Sequence, residues 1–145
     1  MVQLPALNTL QFVLARNRLP RQPQPVPPIY RPEVAADAIV WAASHPRREV
    51  LVGGPTVVAV AGAKLAPWVG DLYLARTAYD AQQTDLPADP SRPDNRFAVV
   101  SGDHDAHGIF DDGAKSRSFQ FVLNRYRDWI VSAAAVGAML AGRRS

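Results

Sequence analysis

The order of the first fifty residues most constrains what this chain can fold into. A short apolar run, a proline-rich loop, one amphipathic helix and a second short apolar run follow one another. Met1 to Ala6 reads as a short buried strand ending at Pro5-Ala6, and Glu49 to Gly53 as a second, stopped by Gly53-Gly54-Pro55. Between them Pro32 sits where a helix begins, with Glu33 in its first turn. Val34, Ala35, Ala38, Ile39 and Ala42 recur on one face with Trp41 beside it, and His45-Pro46 ends the helix. Strand, crossover helix, strand predicts a parallel pair joined by a right-handed connection. Such a pair needs neighbours at its edges and cover on its faces, so the unit reads as part of a larger sheet.

The remaining segments are weaker in pattern. Asn8 and Thr9 can each cap a short helix carrying Phe12, Val13, Leu14 and Ala15. Arg16 to Tyr30 is a basic loop whose prolines favour extended backbone and forbid a regular helix. Residues 56–82 are helical in composition, with Pro67 as a kink or break. Residues 84–114 are rich in Asp, Pro and Gly and read as a long polar loop or a disordered segment. Residues 115–142 read as one final helix. The predicted organisation is 1–54 as an α/β unit, 55–83 as a helical extension, 84–114 as a loop and 115–145 as a C-terminal helix.

Composition narrows the chemistry. The chain has no cysteine, which excludes disulfides, thiolate catalysis and Cys-ligated zinc. Net charge is +3, carried almost wholly by scattered arginines that form no stripe with aromatics, so a nucleic-acid partner is not expected. Met1 leads straight into a strand without a signal-peptide pattern, and the expected location is the cytoplasm, with association at a membrane surface as the variant.

These residues together resemble the C-terminal part of the short-chain dehydrogenase/reductase family. The carriers are the strand Val2-Gln3-Leu4 followed by Pro5, Ala6 and Thr9, a substrate loop over Asn8 to Tyr30, the helix PEVAADAIVWAASHP and the last strand EVLVGG. The likeness is to a bacterial subgroup with a C-terminal extension like residues 55–145. It implies a partial Rossmann-like fold and, in an intact parent, hydride transfer between NAD or NADP and a carbonyl or alcohol substrate. It further implies that the Leu7 backbone and the Thr9 hydroxyl orient the nicotinamide carboxamide, with Pro5 setting the turn beneath the ring. The usual glycine of the motif is Ala6 here, so the backbone at that point must keep a negative φ. Without the resemblance, Thr9 reads equally as a plain helix cap.

Two hallmarks of the family do not occur. No Gly-rich dinucleotide fingerprint follows a strand, and Gly53-Gly54-Pro55 has the wrong spacing. The Tyr-x-x-x-Lys pair is missing too: Val60 stands four residues before Lys64, and Asp111 four before Lys115. No catalytic residue is therefore assigned, and Tyr30, Tyr73, Tyr79 and Tyr126 have no catalytic claim. The chain reads as a truncated member that binds no cofactor and turns over no substrate alone, with Met1 at a late core strand.

Three further features compete with bland readings. Gly102 to Gly108 holds His104 and His107 with Asp103 and Asp105, and Asp111 and Asp112 follow. That spacing suits a divalent metal, but a solvated polar loop is favoured. Trp129 to Ala141 is apolar all round and too short to span a membrane, with Arg125, Arg127, Arg143 and Arg144 at its ends. It suits a helix buried against the protein, a homo-oligomer helix or a membrane-surface anchor. Ala133, Ala134, Gly137 and Ala141 would permit close packing in any of these. Val57 to Leu65 reads as a core helix, or as a hydrophobic lip near a substrate pocket.

Overall fold

The computed structural model describes residues 1–102 and 104–142. Strand β1 (Val2–Gln3) pairs in parallel with β3 (Val50–Leu51), in the register Val2 opposite Val50 and Gln3 opposite Leu51. The crossover between them contains α1 (Gln11–Leu14), β2 (Arg21–Pro23) and α2 (Pro32–Ser44). Then come α3 (Gly54–Leu65), α4 (Pro67–Ala81), β4 (Gln83–Pro87), a 3₁₀ turn (Asp111–Gly113), α5 (Phe119–Arg125) and α6 (Arg127–Gly142). The chain is mixed α/β, with a small parallel sheet and a mostly helical C-terminal region, as a partial Rossmann-like unit with an extension requires.

Helix α2 begins where Pro32 pre-sets the helical φ, and it packs on β1 and β3. Its buried face is Val34, Ala35, Ala38 and Trp41, while Ile39 is half exposed. Trp41 therefore lies at the centre of the face rather than beside it. The His45 ring stacks on its indole at 4.4 Å, Phe121 of α5 meets it edge-on at 5.7 Å, and the Arg47 guanidinium sits 5.1 Å from the ring centroid. Trp41, Phe121, Val34, Ala38, Val50, Val52 and Tyr30 form the core. The extension is thus stitched into the α/β unit: Ser118 caps α5 by accepting from the Phe121 N–H and also accepts from the Gly53 N–H.

Several expectations are corrected. The final helix starts at Phe119, not 115, and breaks at Tyr126 into α5 and α6. The proline-rich loop and the polar segment each contribute a strand, because β2 and β4 pair antiparallel across an irregular register. Pro67 is a full break, since it opens α4 one residue after the α3 C-cap at Ala66. Asn8 and Thr9 do not cap α1. Its N-cap is Leu10 and no side chain caps it.

Neither apolar extension helix is core. Helix α3 buries only Thr56, with Val58 and Leu65 exposed, so the expected packing of Val57 to Leu65 does not occur. Every described residue of α6 is exposed, which rules out a helix buried against this chain. Among the described residues, no helix is long and apolar enough to cross a membrane. Arg143, Arg144 and Asp103 lie outside the described residues.

Candidate functional site

The segment Pro5 to Thr9 leaves the carboxyl end of β1 and is gripped from two sides by backbone. Tyr30 donates its N–H to the Ala6 carbonyl at 2.8 Å and accepts from the Asn8 N–H at 2.8 Å, a parallel bridge centred on Leu7. Tyr30 also bridges Lys115, whose N–H donates to Ile29 and whose carbonyl accepts from Arg31. Ala6 accommodates this without positive φ: Gly53 and Gly102 are the positive-φ residues of the described chain. Gly53 is needed at φ 86°, against the Pro5 ring, where an added Cβ would lie 3.2 Å from Pro5 Cβ.

Because Leu7 is the central residue of the bridge, its own N–H points away from Tyr30. Among the described residues nothing accepts it, and nothing pairs with the Thr9 hydroxyl. The Leu7 carbonyl accepts from the Thr9 N–H at 3.0 Å, folding the two groups into one tight turn. An unpaired N–H donor and an unpaired hydroxyl, which can accept, lie two residues apart at the end of a parallel strand, and such a pair complements the acceptor and donor of a carboxamide. Beside Pro5 and Ala6, a cavity of about 380 Å³ is walled by Val26, Pro27, Pro28, Ala59 and Val60. Its walls are mainly apolar, so α3 forms a lip there.

The opposite side of the segment is held by the extension. Asn8 is fully buried. Its side-chain amide donates to the Gly108 carbonyl (3.2 Å) and to Asp111 Oδ1 (2.8 Å), and its Oδ1 accepts from the Phe110 N–H (3.1 Å). The Gly108 N–H closes the ring on the Asn8 carbonyl at 3.1 Å. Next to it, His107 bridges two carboxylates. Nδ1 lies 2.8 and 2.9 Å from the two Asp111 oxygens, and Nε2 lies 2.6 Å from Glu33 Oε1.

The electrostatics follow from these contacts. Asp111 first, then Glu33, raise the His107 pKa above the ordinary histidine value. His107, then Asn8, hold Asp111 below its ordinary value, with Arg31 adding to the effect. Glu33 is lowered by its own backbone N–H at the start of α2 and then by His107.

The two histidines face different partners. His104 Nε2 sits 2.8 Å from the Val100 carbonyl, while both nitrogens of His107 face carboxylates. Among the described residues, no group of three His, Asp or Glu side chains could hold a metal ion. Asp112 stands outside the His107 bridge. Asn8, Glu33 and Gly108 are the site residues that sequence reasoning missed as such. Their roles depend on contacts about 75 to 100 residues away, for which no local signal exists.

Comparison with known proteins places one relative beside this geometry. Over 114 residues the chain is 32% identical to a Bacillus subtilis (strain 168) protein described as the uncharacterized oxidoreductase YxnA. The match takes in 78% of this chain and 31% of the relative, so the chain spans less than a third of that protein's length. No protein-family profile and no solved structure matches the chain.

Proposed function

We propose that this chain is the C-terminal part of an oxidoreductase of the short-chain dehydrogenase/reductase type. In the whole protein, hydride would pass between NAD or NADP and a carbonyl or alcohol substrate. The observation that carries the reading is the pair of unpartnered polar groups, the Leu7 N–H donor and the Thr9 hydroxyl, at the carboxyl end of a parallel strand. The similarity to a protein described as an oxidoreductase supports the same class. The nicotinamide itself supplies the hydride chemistry. Leu7 would donate to the carboxamide oxygen and the Thr9 oxygen would accept from its NH₂, while Pro5 and the apolar wall of Val26 and Ala59 keep water from that face.

The Gly-rich phosphate loop and the Tyr-x-x-x-Lys pair are not in this sequence. Isothermal calorimetry on the purified chain should therefore detect no NADH or NADPH binding. Micromolar affinity would overturn the requirement for a separate phosphate site. A chimera in which this chain replaces the matching segment of the Bacillus relative should bind a nicotinamide dinucleotide. Thr9→Ala in the chimera should weaken that binding about tenfold, the equivalent of one hydrogen bond. A folded chimera indifferent to Thr9→Ala refutes the assigned role.

A second reading rests on α6. Its exposed apolar surface suits docking on a partner, a second copy or a membrane surface, independently of redox chemistry. Flotation with liposomes and sedimentation of the full chain test it. A chain that neither floats nor self-associates removes the membrane and homo-oligomer versions.

A further inference from the structure

We propose that residues 107–111 form a proton-dependent clasp that positions the Leu7–Thr9 turn. It is closed while His107 carries a proton on both ring nitrogens and opens when one is lost. His107, Asp111 and Asn8 are then positioning residues: they act on the turn through Asn8 rather than by touching a substrate.

The geometry demands two donors from one ring. Nδ1 faces the Asp111 carboxylate and Nε2 faces Glu33, and ionised carboxylates only accept hydrogen bonds. A neutral imidazole has one N–H. Its second nitrogen would aim a lone pair at a carboxylate at 2.6–2.9 Å. Either contact must then open. The Glu33 contact ties the segment to α2, and the Asp111 contact sets the carboxylate that receives the Asn8 amide. Losing either frees the peptide that holds Asn8 through Gly108 and Phe110.

The charged groups around His107 agree in direction. Glu33 at the start of α2 and Asp111 in the 3₁₀ turn both favour the imidazolium. Arg31, the residue before α2, acts on those same two carboxylates and keeps them ionised. Asn8, from the segment after β1, is neutral throughout. His107 is only partly covered, its side chain being 23% exposed, so a proton can reach it without unfolding. The segment itself is built for close approach. A Cβ on Gly108 would lie 2.5 Å from Asn8 Oδ1 and 2.7 Å from the Thr9 carbonyl oxygen.

In the whole enzyme the clasp would set the placement of the Leu7 N–H and the Thr9 hydroxyl, a consequence that rests on the proposed function. The clasp itself does not need that reading, because its test uses no dinucleotide. The full chain is followed by ¹H–¹⁵N NMR between pH 5 and 9, tracking the His107 ring and the amides of Thr9, Gly108 and Phe110. The expected result is one shared midpoint, above the ordinary histidine value of about 6.5. Protection of the Gly108 and Phe110 amides from exchange, corrected for intrinsic rate, should fall at least tenfold across it. His107→Gln should abolish the shared transition, and Glu33→Gln should move the midpoint down without abolishing it. The proposal is overturned if His107 titrates at or below 6.5, if the two amides stay protected throughout, or if His107→Gln keeps the transition. Should His107→Gln fail to fold, Glu33→Gln and the wild-type titration still decide the matter.

Discussion

Gly108→Ala offers a direct measure of how tightly the extension holds the turn after β1. Gly108 has no positive φ, so alanine costs nothing in backbone conformation. The cost is steric. The added methyl would meet Asn8 Oδ1 at 2.5 Å and the Thr9 carbonyl oxygen at 2.7 Å. Neither can yield freely, since Asn8 is fully buried and Thr9 is fixed by its own N–H bond to Leu7. The segment must therefore lift. Lifting loses three bonds: Gly108 N–H to the Asn8 carbonyl, the Asn8 amide to the Gly108 carbonyl, and Phe110 N–H to Asn8 Oδ1. At roughly 1 kcal/mol net for each, the loss is about 3 kcal/mol. Alanine recovers about 0.4–1 kcal/mol by stiffening the unfolded chain. The expected destabilisation is about 2 kcal/mol, inside the usual range for overpacking. Urea unfolding monitored by tryptophan fluorescence would read it. Gly113→Ala is the control, because nothing lies within 4 Å of its added Cβ. It should be neutral or slightly stabilising. A Gly108→Ala change under about 0.5 kcal/mol, or equal to that of Gly113→Ala, refutes the reasoning.

The His107 bridge also sets a pH window for stability. Glu33 and Asp111 are lowered on folding, so their contribution is present above the unfolded carboxylate range and is lost as pH falls through the folded values. His107 is raised, so its contribution is full below the unfolded histidine value and lost as pH rises through the folded one. Unfolding free energy should therefore peak between about pH 4.5 and 6.5, and His107→Gln should flatten its alkaline side. Trp41→Ala should cost about 3–5 kcal/mol in urea unfolding followed by far-UV circular dichroism, because the indole joins α2, α5 and Arg47. Deleting residues 129–145 should leave the unfolding free energy within about 0.5 kcal/mol of the full chain, since α6 buries none of its described residues.

How much of this was legible in the sequence follows the range of the interactions. The parallel β1–β3 pair, the start of α2 at Pro32 and the break at Pro67 depend on local chemistry and periodicity, and they are where the pattern predicts them. Strands β2 and β4 were illegible because their pairing joins a proline-rich run to a polar one, neither with alternating apolar residues. Asn8 reads as a cap because Asn caps helices often, and only a fold that brings residue 108 beside it turns it into a buried hub. The periodicity of α2 leaves Trp41 beside its apolar face because Phe121, the group that covers it, comes from 80 positions further on. The apolar runs of α3 and α6 suggested burial, yet apolar composition does not state what provides the cover.

The double bridge through Tyr30 bears on how freely this region can drift in sequence. Its bonds to Ala6, Asn8 and, through the flanking residues, Lys115 are main-chain bonds, and main-chain bonds do not read side chains. The course of the turn after β1 is therefore transmitted by backbone, while its grip by the extension demands particular residues at Asn8 and Gly108. That is how the motif can carry Ala6 where its look-alikes carry glycine and still leave the Leu7 N–H turned away from Tyr30. A search for distant kin of this region should weigh those two positions above Ala6, whose hydrogen bond to Tyr30 is main-chain.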